Sequence, residues 1–219
     1  MQAAEKRKQE QEELKASRID RILERTYDLF SNDGIDSITM DKIAENAEIG
    51  VASLYRYFST KDMLAIECAT YAWKKEEATY NQIFEPETYA TLTGLAQLNE
   101  LLSVFPKMFL TEGKFFRFIY YFDAYIKRQS VMPQQLTAYE ATIIGPQRIT
   151  MEAIKKGRAD GSIHITNVTD EEIYFTATHA LFSLAQKLSL SGEMLYMDKS
   201  ISAQRQMELL VSMIINSLK

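Results

Sequence analysis

The residues best suited to chemistry form one short run: Ser53, Tyr55, Tyr57 and Lys61, interleaved with Leu54 and Phe58. Leu54 and Phe58 are four apart, so on a helix they share an inner face and leave Val51, Ala52, Ser53, Tyr55 and Tyr57 on the outer one. A tyrosine that faces only water gains little from its ring. One that faces a sugar-phosphate wall gains contact area and a hydroxyl donor. A second reading is that both tyrosines are half-buried packing aromatics and Lys61 is a solvated cap residue. Other chemistries find no constellation. The chain has no Gly-rich phosphate loop, no Gly-x-Ser-x-Gly elbow, no His-Glu-x-x-His helix and no Cys-x-x-Cys pair. Its histidines, His164 and His179, have no evident nucleophile partner, and its one cysteine, Cys68, excludes an intramolecular disulfide. The expectation is no catalytic residue, no metal site, no cofactor, and hence no enzyme.

The outer face needs a scaffold, and the flanking sequence supplies one. Ile19, Ile22, Leu23, Thr26, Leu29 and Phe30 recur at helical spacing from Ser17 until Asn32-Asp33-Gly34 stops them. A second, short helix begins at Thr39, which can cap it, with Ile43, Ala44 and Ala47 as its apolar stripe and Asp41 favourably near its positive end. After Glu48-Ile49-Gly50 a third short helix runs to about Phe58. Ile49 plugs the turn, and Ala44 is small where two helices must cross closely. Ser59 and Asp62 have capping-box spacing at the head of a fourth helix reaching about Tyr80. Three short helices with a tight turn between the last two have the size of a helix-turn-helix.

The run Gly34-Ile35-Asp36-Ser37-Ile38-Thr39-Met40-Asp41-Lys42-Ile43-Ala44, then Ile49, then Ser53-Leu54-Tyr55-Arg56-Tyr57-Phe58-Ser59-Thr60-Lys61-Asp62-Met63-Leu64 resembles the DNA-binding signature of the TetR family of transcriptional regulators. The resemblance implies a DNA-binding role residue by residue. Thr39 lies beside the DNA backbone, Gly50, Val51, Ala52 and Ser53 lead the recognition helix into the major groove, Tyr55 and Tyr57 touch backbone or adjacent bases, and Lys61 meets a further phosphate. The chain departs from the family pattern at Glu48, where glycine is usual, so a left-handed backbone there carries strain of roughly 1–2 kcal/mol. It departs again at Val51, which is often polar or basic. Between Arg18 and Lys61 there are six basic and eight acidic residues, which points to weak non-specific affinity.

Beyond this segment the pattern stays helical: about Tyr89 to Leu110, Phe115 to Lys127, Pro133 to Lys156, Asp170 to Ser189 and Ser200 to Ser217. Pro106 and Pro146 should kink or break two of these, and Thr169 with Glu172 forms a capping box. Only Ser162 to Thr166 alternates like a strand, too briefly to form a sheet. The fold expectation is all-α with about nine helices: residues 1–16 a charged arm, 17–62 the helix-turn-helix domain, 63–219 a domain for ligand binding and dimerisation. Ile173, Ala177, Ala180, Leu181, Leu184 and Leu188 form one stripe, with Phe175 and Phe182 on another face. Met207, Leu210, Val211, Ile214 and Leu218 form a stripe on the last helix, with Leu209 and Met213 displaced from it. Helices apolar over so wide an arc need neighbours on two sides. The resemblance makes the neighbour a second copy, in a homodimer through the last two helices; a buried intramolecular pair is the alternative. Such a dimer fits a palindromic double-stranded DNA operator.

Phe115 to Tyr125 is the densest aromatic stretch. It is either core or the lining of a cavity for a flat apolar effector. The candidate ligand-binding residues are Trp73, Met108, Phe115, Phe118, Tyr121, Phe122, Tyr125 and His179, with Tyr139 as a further candidate and Asp123 and Arg117 able to orient a ligand.

The formal charge of −5, from 25 basic and 30 acidic residues, argues mildly against a nucleic-acid partner, although DNA needs only a local basic footprint. The start, Met1 to Lys15, is charged rather than apolar, either a helical lead-in or a disordered arm. Since no apolar run approaches the roughly 20 residues of a membrane span, a cytoplasmic protein with no membrane partner is expected.

Overall fold

A computed structural model describes residues 2–83, 86–192, 194 and 196–219, with the side chains of 2–4, 78–83, 86 and 197 outside the description. Every regular element among them is helical. Eleven α-helices run in the order α1 (Gln2–Asp33), α2 (Met40–Asn46), α3 (Val51–Tyr57), α4 (Lys61–Ile83), α5 (Pro86–Thr91), α6 (Gly94–Leu102), α7 (Val104–Thr111), α8 (Gly113–Gln129), α9 (Pro133–Ala159), α10 (Asp170–Ser191) and α11 (Ala203–Ser217). None is long and apolar enough to cross a membrane, among the described residues.

The chain divides into two compact units, 1–75 with 118–139 and 76–117 with 140–219. The first is built on α1, whose Ile22, Leu23, Tyr27 and Phe30 are buried. They recur at three- and four-residue steps, the spacing of one helix face. Gly34 ends α1 with φ 77°, and its N–H bonds back to Phe30 O at 3.1 Å, a left-handed terminus that glycine adopts without strain. Ile35 and Ile38 from the loop, Ile43 and Ala44 from α2, and Leu54 from α3 are buried too. Helix α4 adds Leu64, Ala65, Cys68, Ala69 and Ala72, mostly small side chains that suit close helix packing.

The second unit packs α6 and α7 with α10 and α11. Gly94 makes this possible on another side: a Cβ there would overlap the Gly157 backbone and come within 2.6 Å of Ala153 O. Arg158 organises the loop before α10, donating to Asp170 Oδ1 at 2.6 Å and to the carbonyl of Ile165 at 2.6 Å. The brief alternation at Ser162 to Thr166 forms no strand; His164 N–H bonds to Leu218 O at 2.8 Å.

Three expectations need correction. The segment read as one helix from Tyr89 to Leu110 is three, because Thr93 caps a new start by accepting from Ala96 N and the chain turns at Ser103. Pro106 lies in the first turn of α7, where its missing N–H has no partner to lose. Pro146 does not end α9, which runs on to Ala159. Finally, α4 is capped by Thr60, which accepts from Met63 N at 3.1 Å, one residue after the expected Ser59. The capping box at Thr169 and Glu172 forms as the spacing requires. The N-terminal arm continues α1 as helix.

Candidate nucleic-acid interface

The helix-turn-helix is fixed by local chemistry. Thr39 takes an extended backbone and accepts from Lys42 N at 3.2 Å, which starts α2. After Ala47 the chain must reverse. Glu48 does so with φ 57°, a left-handed conformation a glycine would take without strain. Ile49, half-buried, bonds through its N–H to Ala44 O at 3.0 Å and closes the turn. Gly50 then caps α3 through its carbonyl, with no side-chain bond.

On α3 the two faces separate cleanly. Leu54 is 0 % and Phe58 5 % exposed, while Ala52, Tyr55 and Arg56 are exposed and Val51, Ser53 and Tyr57 are partly so. Tyr55 is thus half exposed, at 49 %. Two arginines that the sequence reading did not single out frame this face. Arg18 of α1 donates to the Tyr57 hydroxyl at 3.5 Å. Arg56 lies 5.7 Å from the centre of the Tyr57 ring and 3.4 Å from Ser53 Oγ. The Arg18 hydrogen bond, with the nearby Arg56, pulls the Tyr57 phenol below its ordinary range. Their signal in the sequence was a basic residue three positions from Ser53 and another on the face of α1 that meets Tyr57.

Lys61 is placed differently. Its ammonium donates to Asp36 O at 3.3 Å and lies 5.4 Å from the centre of the Tyr125 ring. Burial lowers its pKa, against the opposing pull of Asp36 and Asp62. Arg128 of α8 pairs with Asp36 at 2.7 Å. Thus Lys61 belongs to a joint between the helix-turn-helix and α8 as much as to the outer face.

The aromatic candidates divide between the units. In the first, Phe118 meets Tyr27 edge-on at 5.1 Å and stacks on Phe122 at 6.1 Å. Phe122 approaches Tyr139 at 5.0 Å, and Trp73 Nε1 donates to the Tyr139 hydroxyl at 3.1 Å. Tyr121 lies against Gly34, and Tyr125 donates to Asp62 Oδ1 at 2.6 Å. Asp123 is exposed on α8, yet surrounding protein desolvates its carboxyl and pushes its pKa up to about 6. In the second unit Phe115 and Phe116 are core residues meeting Phe182, and Met108 is buried. His179 is exposed on α10, with Phe175 at 5.6 Å. Phe175 and Phe182, seven apart, share one face of α10; Phe182 meets Phe105 and Phe116 whereas Phe175 is 44 % exposed. Among the described residues no group of three or more His, Cys, Asp and Glu is positioned for a metal.

Known proteins share both the motif and the fold. Residues 22–68 match the sequence model of the bacterial regulatory proteins, tetR family. An HTH-type transcriptional regulator of uncharacterised role, YdeS of Bacillus subtilis (strain 168), is 45 % identical over 40 residues, 18 % of this chain. The match spans only 20 % of that relative's own length. The fold resembles that of a Rhodococcus sp. protein assigned to the TetR-family transcriptional regulators, with a TM-score of 0.69 and 16 % identity over 92 % of this chain and 98 % of that one. It also resembles the MbdR regulator of Azoarcus sp. CIB, with a TM-score of 0.65 and 19 % identity over 92 % and 99 % of the respective chains.

Proposed function

We propose that this chain is a TetR-family transcriptional regulator, a repressor that binds a palindromic DNA operator as a homodimer, a reading supported by the family match at residues 22–68 and by the shared fold. In this reading a small apolar or aromatic effector releases it, and it works in the cytoplasm. The observation that carries the reading is the outer face of α3, where Tyr55 stands 49 % exposed over a fully buried Leu54. Val51, Ala52 and Ser53 lead that face and reach base edges and thymine methyls, since short side chains let the helix sit deep in the groove. Thr39, Gly50, Tyr55 and Tyr57 position the helix on the backbone, with Arg18 and Arg56 adding charge. Lys61 contributes a cation at the joint with α8. Residues 17–62 form the reading head and 63–219 the ligand-binding and dimerisation part.

The dimer reading is supported by α10 and α11. Ile173, Ala177, Leu181 and Ala185 are buried within the chain, as are Met207, Val211 and Ile215. Phe175 and Met213 remain 44 % and 64 % exposed, apolar surface that a second copy would cover. Two reading heads spaced about 34 Å apart meet successive major grooves on one side of the duplex.

The effector reading is supported by the Trp73, Phe122 and Tyr139 cluster with the exposed Asp123 beside it: aromatic walls and one polar edge suit a flat, mostly apolar molecule. Release is a population shift, and a hundredfold change in operator affinity requires about 2.7 kcal/mol of differential effector binding. Helices α4 and α8 each contribute residues to both units, so a change in one unit has a continuous path to the other.

Duplexes selected by the protein from a random-sequence pool test the reading. Footprinting should protect two inverted half-sites with centres about one helical turn apart. Recovery of no preferred sequence, or protection of a single half-site by a monomer, contradicts it.

A further inference from the structure

The 32-residue helix α1 begins long before it has a core to join. Residues 5–18 are exposed throughout, and the burial of α1 starts only at Ile22. A solvated helical lead-in with random charge would have no preferred side. This one has a side. At about 100° per residue, Arg7, Gln11, Leu14, Lys15 and Arg18 fall within an arc of about 100°, and Lys8 lies about 20° beyond its edge. Glu5, Glu12 and Glu13 point into the opposite half, and Glu10 flanks the arc by about 40°. Lys6 alone of the basic residues falls on the acidic side; the others, mixed with the acids in the linear sequence, separate from them on the helix surface.

The hydrogen bond from Arg18 to the Tyr57 hydroxyl, at 3.5 Å, fixes which way the basic arc faces. Arg18 lies in that arc, and Tyr57 ends the recognition helix. The arc therefore continues on the side of α1 that carries the reading face, and from Arg18 to Arg7 it extends about 17 Å at 1.5 Å per residue. Arg7, Lys8 and Lys15 have no ion-pair or hydrogen-bond partner among the described residues. Leu14, at the edge of the arc and between Arg7 and Arg18 along the helix, is 71 % exposed; it offers an apolar surface for a sugar edge.

We propose that the N-terminal extension of α1 is a phosphate-tracking arm, which lays Arg7, Lys8 and Lys15 along the duplex backbone flanking the sequence read by α3. This rests on the DNA-binding reading and extends it to a second, sequence-independent binding surface. It also answers the weak charge balance of the reading head, with six basic against eight acidic residues from Arg18 to Lys61: the missing positive charge lies upstream of the motif, on one helical face.

The probe is a duplex selected with the wild-type protein, prepared with long flanks and trimmed to its protected core. The triple variant Arg7→Gln, Lys8→Gln, Lys15→Gln keeps helix-favouring side chains and touches no buried residue. On the long duplex it should bind at least about tenfold more weakly at about 0.1 M salt, and its salt dependence should be shallower by about 0.9 in slope for each phosphate that is no longer neutralised. On the trimmed duplex it should match wild type. A charge-matched pair tests the face: Arg7→Gln should weaken binding and Lys6→Gln, on the other side, should not. Wild-type affinity and slope in the triple variant, or equal losses from Arg7→Gln and Lys6→Gln, overturn the arm while leaving the recognition helix intact. Failure of the wild-type protein itself to bind any duplex removes the DNA-binding reading, and the arm with it.

Discussion

The Tyr125 hydroxyl donates to the Asp62 carboxylate at 2.6 Å, joining the end of α8 to the first turn of α4, just beyond the recognition helix. Around this bond Lys61 reaches Asp36 O and the Tyr125 ring, and Arg128 pairs with Asp36. The loop that precedes α2 and the helix that follows α3 are thus held by the same stretch of α8. Burial and the Asp62 bond both raise the Tyr125 phenol above its ordinary range, so it stays protonated and able to donate at any physiological pH. Tyr125→Phe should lower stability by about 1.5–3 kcal/mol, the range for a hydrogen bond to a charged partner. Denaturant unfolding reads that loss. Hydrogen exchange should show faster opening of the first turn of α4, and affinity for a selected duplex should fall about threefold although Tyr125 lies outside the proposed DNA-contacting face.

Glu48 holds a left-handed backbone at φ 57° where the motif elsewhere favours glycine. Glu48→Gly relieves that strain but adds freedom to the unfolded chain, so the net gain should be roughly 0.5–1 kcal/mol. Glu48→Ala has the same strain and should gain nothing, which thermal melts of the two variants will separate. Removing the acid beside α3 should also strengthen DNA binding in both variants, by a few-fold at low salt.

Gly94 has no room for a side chain, since a Cβ would overlap the backbone of Gly157. Gly94→Ala should therefore force α6 away from α9 and destabilise the fold by about 3 kcal/mol or more. Chemical denaturation measures this directly; a change below about 1 kcal/mol would mean that the two helices do not meet as described.

Asp123 has a pKa raised to about 6 by desolvation, so the folded protein holds its proton more tightly than the unfolded chain, where the value is about 3.9. This stabilising difference is complete below about pH 4 and is lost as pH rises through 6. Asp123→Asn should accordingly match wild type near pH 4 and exceed it at pH 8. The gain should be about 1 kcal/mol, well short of a full two-unit shift because the side chain keeps solvent contact. Melting curves at both pH values check the sign as well as the size.

Local signals were the most readable part of this sequence. Thr39 and Thr169 announce their helices because a hydroxyl three residues before an amide is the cap itself. Leu54 and Phe58 against Tyr55 reveal the two faces of α3 because a four-residue spacing suffices. What sequence spacing cannot carry is partnership between distant segments. Tyr125 and Lys61, assigned separately to a ligand and to DNA, sit on one another. The aromatic run of α8 divides, with Phe115 and Phe116 in one unit and Phe118 and Phe122 in the other, a division its periodicity does not express. Thr60 replaced Ser59 as the cap of α4 because two adjacent hydroxyls compete for one role. Gly94 gave no warning, since a close crossing depends on a partner 63 positions away.

The central claim is that the outer face of α3 enters a groove of duplex DNA, and Tyr55→Ala tests it most directly. Tyr55 is 49 % exposed, so the variant should melt like wild type while binding the selected duplex at least about tenfold more weakly, a difference of about 1.4 kcal/mol. Unchanged affinity in a fully folded Tyr55→Ala protein would contradict the account.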